Sequence, residues 1–390
     1  MLKPQTFHHQ NYANVPDPSS YQQVFPGDLK LPGSELFSQS LERASIHFRK
    51  SGVSRIILVH GTIAGTDALG WLSHWARVMP EVARSLKRLH KSVVDSLTGD
   101  RGNYSKAFAE VLADSLNQLD HPTAIQVERF EWTSENHHLG RANAAVRLAH
   151  RLLDCEANGE SVLLWGHSHA GNAFALATQL LGTSRNRNPE LLKTFFDATL
   201  HFNRSTQRID LEAWERLSAR LAECNHQRPM LQNLKIVTFG TPIRYGWDAT
   251  AYSGLLHFVN HHPFTAGGTP PPPYRSVWPN SPRQFREALT GGYGDFVQQT
   301  FIACSDLPPA VWSWDAWKAN RLLKRCVEAT ERQSKHLWRL KQALRVADQG
   351  KTLLVDYAQV DPSATAFCGH AVYTQIDWMA FHLDQIVAEL

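Results

Sequence analysis

The residues best suited to chemistry lie in Val162-Leu163-Leu164-Trp165-Gly166-His167-Ser168-His169-Ala170-Gly171, where an apolar run meets a turn and a second apolar run, AGNAFALATQLLG, follows. The first run reads as a buried strand, and the second, apolar nearly all round and closed by Gly182, as a buried helix. A serine on a sharp strand-to-helix turn has its hydroxyl pushed clear of the sheet, and small neighbours let strand and helix approach closely. Such a hydroxyl is placed to act as a nucleophile once a base takes its proton. A plain helix N-cap is the bland alternative for Ser168, and the strand before it together with the buried helix after it favours the nucleophile.

With Gly166, Ser168 and Ala170, this stretch resembles the G-x-S-x-G nucleophile elbow of the α/β-hydrolase family, lipase and esterase branch. Ala170 departs from the pattern, small residue for small residue. The resemblance implies a mostly parallel sheet with helices on both faces and a chain order of serine, then acid, then histidine. His60-Gly61-Thr62, which closes the apolar run Ile56 to Val59, is similar to the family's H-G turn. That similarity implies an oxyanion hole made by the backbone N–H groups of Thr62 and His169. Phe239-Gly240-Thr241-Pro242 is similar to the F-G-T-P turn of many lipases and is expected to give order, not catalysis.

The same order implies that the base is His370, in Phe367-Cys368-Gly369-His370-Ala371-Val372-Tyr373, after the strand candidate Thr352 to Tyr357 and before the terminal segment Trp378 to Leu390. His261 and His262 rank below it. The acid is Asp295 or Asp356. Asp295, in Gly292-Tyr293-Gly294-Asp295-Phe296-Val297, looks like the acid turn of lipases and cutinases and is preferred on chain order, whereas Asp356 ends the last strand candidate. The implied activity is hydrolysis of a carboxylic ester, small-molecule or lipid, through an acyl-enzyme. The same triad would serve an acyltransferase, and a dead one a binding protein. No cofactor is implied.

These residues need a scaffold. Strand candidates at Ile56 to Val59, Ile125 to Trp132, Ser161 to Trp165, Leu234 to Phe239, Leu255 to Asn260 and Thr352 to Tyr357 alternate with helical stretches, which argues for an α/β fold. In 139–154, Leu139, Ala142, Val146, Ala149 and Leu153 form one stripe with Arg141, Arg147 and Arg151 outside it, so a surface helix is expected. Residues 1–40, rich in Pro, Ser, Asn and Gln, are expected to form an arm over the surface. Residues 41–390 are expected to form the hydrolase domain, with insertions at about 183–232, as a helical cap, and 264–347. Trp312, Trp314 and Trp317 are expected to pack inside, and Pro270 to Pro273 to stiffen a loop.

Composition narrows the classes further. Forty basic and 36 acidic residues give a net charge of +4 with no long run of one sign, so nucleic-acid binding is not suggested. His167 and His169 could join His137-His138 or His261-His262 as nitrogen ligands, but no spaced carboxylate or cysteine set accompanies them, so no metal is expected and their side chains are expected to line the mouth of the site. Five scattered cysteines without a C-x-x-C pair argue against a disulfide framework. No apolar signal region stands at the start and no stretch approaches the roughly 18 apolar residues of a membrane helix, so a cytoplasmic location is expected.

Overall fold

A computed structural model of the chain describes residues 7, 10, 15–61, 103–118, 121–183, 189–202, 209–223, 231, 233–263, 272–299, 309, 313–328 and 342–390. The core is a seven-stranded sheet, β1 (Tyr21–Val24), β2 (Val53–Val59), β3 (Gln126–Phe130), β4 (Ser161–His167), β5 (Leu234–Phe239), β6 (Gly254–Asn260) and β7 (Lys351–Val355). Its order is β1-β7-β6-β5-β4-β2-β3, and every pairing is parallel. All residues of β4 are buried, as a strand covered on both faces requires.

Alternation along the strands feeds two cores. Ile57, Val59, Val162, Leu164 and Ile236 face one cluster, and Ile56, Leu58, Leu163, Trp165, Val237 and Phe239 the other. The first is covered by α3 (His138–Ala157), α4 (Ala170–Leu181), α5 (Pro189–Asp197), α6 (Leu211–Glu223) and α8 (Trp314–Glu328). The second is covered by α1 (Glu35–Lys50), α2 (Lys106–Leu116) and the terminal helix α9 (Met379–Glu389). A further helix, α7 (Pro282–Leu289), stands before the Asp295 turn. Side-chain caps set the starts of several: Ser34, Ser105 and Ser281 accept the N–H groups of Phe37, Phe108 and Gln284. Among the described residues no helix is long and apolar enough to cross a membrane.

Four local expectations are corrected. Residues 1–40 are not only a surface arm: Tyr21–Val24 extends the sheet beside β7, with Tyr21 opposite Thr352 and Val24 opposite Val355, and α1 begins at Glu35. The helix at 139–154 is not a surface helix, since α6 and α8, which carry Trp214, Leu217, Ala319 and Leu323 into the same core, cover its outer side. Arg141 is fully buried there and donates to the Tyr245 hydroxyl at 3.0 Å and to the side-chain Oδ1 of Asn136 at 2.9 Å. Trp314 and Trp317, expected inside, are 83% and 41% exposed, because α8 turns Ala316, Ala319 and Leu323 inward instead. His167 and His169, expected at the mouth of the site, are buried at 2% and 1% exposure. Trp312, Pro270 and Pro271 lie outside the described residues.

Candidate active site

At the C-terminal ends of β2 and β4 the strand order reverses: β2 leads to β3 on one side, and β4 to β5 on the other. In parallel α/β sheets the crevice at such a switch is where ligands bind. Ser168 stands there, between the last residue of β4 and the start of α4, with φ at +56°. A non-glycine residue in the left-handed region costs on the order of 1–3 kcal/mol and persists only where its surroundings hold it. Here the Ser168 N–H donates to the Phe239 carbonyl at 2.8 Å, the Gly171 N–H to the Ser168 carbonyl at 3.1 Å, and the Thr241 hydroxyl to that same carbonyl at 2.8 Å. The F-G-T-P turn thus clamps the bend from the neighbouring strand.

The H-G turn reaches the same serine. A Cβ added to Gly61 would stand 2.7 Å from the Ser168 Cβ and 2.9 Å from His167 Nδ1, so only glycine fits. The turn is braced from the end of β3, where Trp132 Nε1 donates to the His60 carbonyl at 2.8 Å and the Ser134 hydroxyl to the Gly61 carbonyl at 2.8 Å. Thr62 lies outside the described residues. His169 leads into α4, and its Nδ1 accepts from Asn172 Nδ2 at 3.1 Å. Ser168 itself is buried at 3% exposure.

His370 lies in a run of short turns after β7. Its ring centroid is 4.5 Å from that of His167, the residue before Ser168, and His167 Nε2–H donates to the His370 carbonyl at 3.0 Å. Since a carbonyl can only accept, that bond places the His167 proton on Nε2. His370 Nδ1 donates to Asp295 Oδ2 at 2.7 Å. The same oxygen accepts from the Tyr373 hydroxyl at 2.8 Å, and Oδ1 from the Gln298 N–H at 2.7 Å. Asp295 is wholly buried, so three donors stand in for the water it lacks.

Long-range contacts hold the carboxylate in place. The Asp295 N–H donates to the Asn260 carbonyl at 2.8 Å, while Asn260 donates its own N–H to the Tyr373 hydroxyl oxygen at 2.7 Å and Nδ2 to the Gly369 carbonyl at 2.8 Å. The buried Arg345 guanidinium donates to the carbonyls of Asp295 and Tyr293 and to Gln298 Oε1. Gly240, at φ +57°, leaves the space: a Cβ there would lie 2.6 Å from Asp295 Oδ2 and 2.5 Å from Tyr373. Burial holds the Tyr373 phenol well above its usual range, so it stays a donor.

Asp356 has a different partner. Its Oδ1 accepts from His262 Nδ1 at 2.8 Å, and that bond raises the His262 pKa. His261 is buried, and desolvation first, then the nearby Arg345 charge, pushes its pKa down to about 3. Thus Asp295, not Asp356, is the carboxylate joined to His370. Among the described residues no cluster of three or more His, Cys, Asp or Glu could hold a metal ion.

Sequence reasoning missed Tyr373, Gln298, Asn260, Arg345, Trp132 and Ser134. Tyr373 alone had a signal, being three residues past His370 in the stretch already singled out. The others come from segments far apart in the chain. Compared with family models, curated proteins and solved structures, the chain matches none.

Proposed function

We propose that the chain is a serine hydrolase of the α/β-hydrolase type that cleaves a carboxylic ester through Ser168, His370 and Asp295. The observation that carries this reading is the Asp295–His370 bond of 2.7 Å, with the His370 ring packed against His167, the residue before a serine held at φ +56° on the strand-to-helix bend. Supporting it, the strand that ends in the H-G turn is β2, the direct parallel neighbour of the serine's strand.

In this mechanism Asp295 keeps the His370 proton on Nδ1, which presents Nε2 as the acceptor for the Ser168 proton. The serine oxygen attacks the ester carbonyl, and the negative oxygen that develops is received by the backbone N–H groups of His169 and Thr62. The imidazolium returns its proton to the leaving alcohol. Water, deprotonated by His370, then releases the acyl group from Ser168.

Labelling with a fluorophosphonate probe tests the reading. Wild type reacts covalently and Ser168→Ala does not; a wild-type chain that fails to react, or a Ser168→Ala chain that still does, contradicts it.

A further inference from the structure

Of the large apolar side chains among the described residues, Trp314 and Leu200 are the most exposed, at 83% and 77%. His201 Nε2 donates to the Asp315 carbonyl at 2.8 Å, so the turn carrying Leu200 sits against the first turn of α8. Ala316, Ala319, Leu323, Cys326 and Val327 point inward from that helix. Its period therefore sets Trp314, Trp317, Lys318, Arg321 and Arg325 together on the outer face, all of them exposed. Trp314, Trp317, Lys318 and Arg321 line a surface hollow of about 490 Å³. Two tryptophans and a leucine turned to water in one place mark an interaction surface.

The charges say what it meets. Elsewhere on the surface, helix cations such as Lys106, Arg216 and Arg283 have an acid one turn away, in Glu110, Glu212 and Glu287. On α8 the residue one turn before Lys318 is Trp314, and the one before Arg321 is Trp317. Glu328, the acid of its last turn, is buried against Arg244. Lys318, Arg321, Lys324 and Arg325 form no ion pair among the described residues. The fitting partner is apolar and negative at once. A second copy of the chain would set these cations against their own kind, and a single-stranded nucleic acid would stack on the rings but leave Leu200 in water. A bilayer with anionic headgroups uses every group: tryptophan settles at headgroup level, leucine reaches the acyl boundary, and Lys and Arg meet the charge.

We infer that this face docks the protein on a membrane surface carrying anionic lipid headgroups, with Trp314, Trp317 and Leu200 entering the interface and Lys318, Arg321 and Arg325 facing the headgroups. The surface does not depend on the reading of Ser168. Its helix is moored at the edge of the sheet where Ser168 stands: the Leu139 N–H donates to Asn320 Oδ1 at 3.1 Å, and α3 starts at that edge before running back to the foot of β4.

Co-sedimentation of the full chain with vesicles tests this, one set made of phosphatidylcholine alone and one with roughly a quarter phosphatidylserine. Saturable binding to the mixed vesicles is expected, about tenfold or more tighter than to phosphatidylcholine. It is weakened about tenfold by Lys318→Gln combined with Arg321→Gln and about fivefold by Trp314→Ala, with circular-dichroism melts unchanged. No binding to the mixed vesicles, equal binding to both sets, or binding that either variant leaves untouched overturns the proposal. Should the double variant fail to fold, Trp314→Ala decides, and unchanged affinity there overturns it as well. Self-association without vesicles that Trp314→Ala abolishes assigns the face to a second copy and overturns it too. Fluorophosphonate labelling of the same variants without vesicles, expected at the wild-type rate, keeps failure of this surface distinct from failure at Ser168.

Discussion

Two histidine–aspartate pairs stand at the C-terminal edge of the sheet with nearly the same bond, 2.7 Å for His370–Asp295 and 2.8 Å for His262–Asp356. Around Asp295 the carboxylate is fully buried and takes two further donors, and its histidine lies against the residue before Ser168. Around Asp356 the histidine side chain is 38% exposed and lines a cavity. The bond alone therefore does not define a catalytic pair. What separates the two is which strand end the histidine meets and how completely the carboxylate is enclosed.

The largest expected effect separates the pairs outright. Asp295→Asn lowers probe reactivity about 10⁴-fold, as losing the tautomer-fixing acid does in serine hydrolases, while Asp356→Asn stays within about twofold of wild type; labelling rates check both. Next comes Tyr373→Phe, which removes one donor from a buried carboxylate. A hydrogen bond to a charged group is worth about 1.5–3 kcal/mol, so a loss of roughly 10- to 100-fold in rate is expected, with no counterpart at the other pair.

Gly240→Ala tests the enclosure itself. Its methyl would meet Tyr373 and Asp295 at φ +57°, and a stability loss above about 1 kcal/mol in urea melts is expected.

The pairs also differ in how pH acts near them. The His262 pKa is raised in the fold, so the stability it adds is full below its unfolded value near 6.5 and fades as pH climbs through the folded one. His261 and the buried His382 are both pushed down to about 3 by desolvation, so their neutral forms support the fold above about pH 6.5, and that support drains away as pH falls toward 3. Thermal melts are expected to drop between pH 7 and 5, by an amount that His382→Phe reduces. The smallest effect is Asp356→Asn on stability, under about 1 kcal/mol because its partner is half exposed.

The sheet was legible where strands announce themselves locally. Leu234 to Phe239 reads as a strand and is one, and the bend at Ser168 is written in the apolar runs on either side of it. Tyr21–Val24 was not legible, being four residues long, with polar Gln22 and Gln23 at its centre, and defined only by a pairing with β7 far along the chain. Arg141 fell off the apolar stripe, yet helices contributed by the 183–232 and 313–328 segments bury it, which periodicity within one helix cannot register. The same distance in sequence hides the cage around Asp295, whose members Gly240, Asn260, Arg345 and Tyr373 meet only in the folded chain.

The central claim concerns which hydroxyl reacts and which pair serves it, and one mass-spectrometric peptide map of the fluorophosphonate-treated chain addresses both. A single adduct on the peptide holding Ser168, lost in Asp295→Asn and kept in Asp356→Asn, is the expected result. An adduct on another serine, or one that vanishes with Asp356→Asn and survives Asp295→Asn, would contradict it.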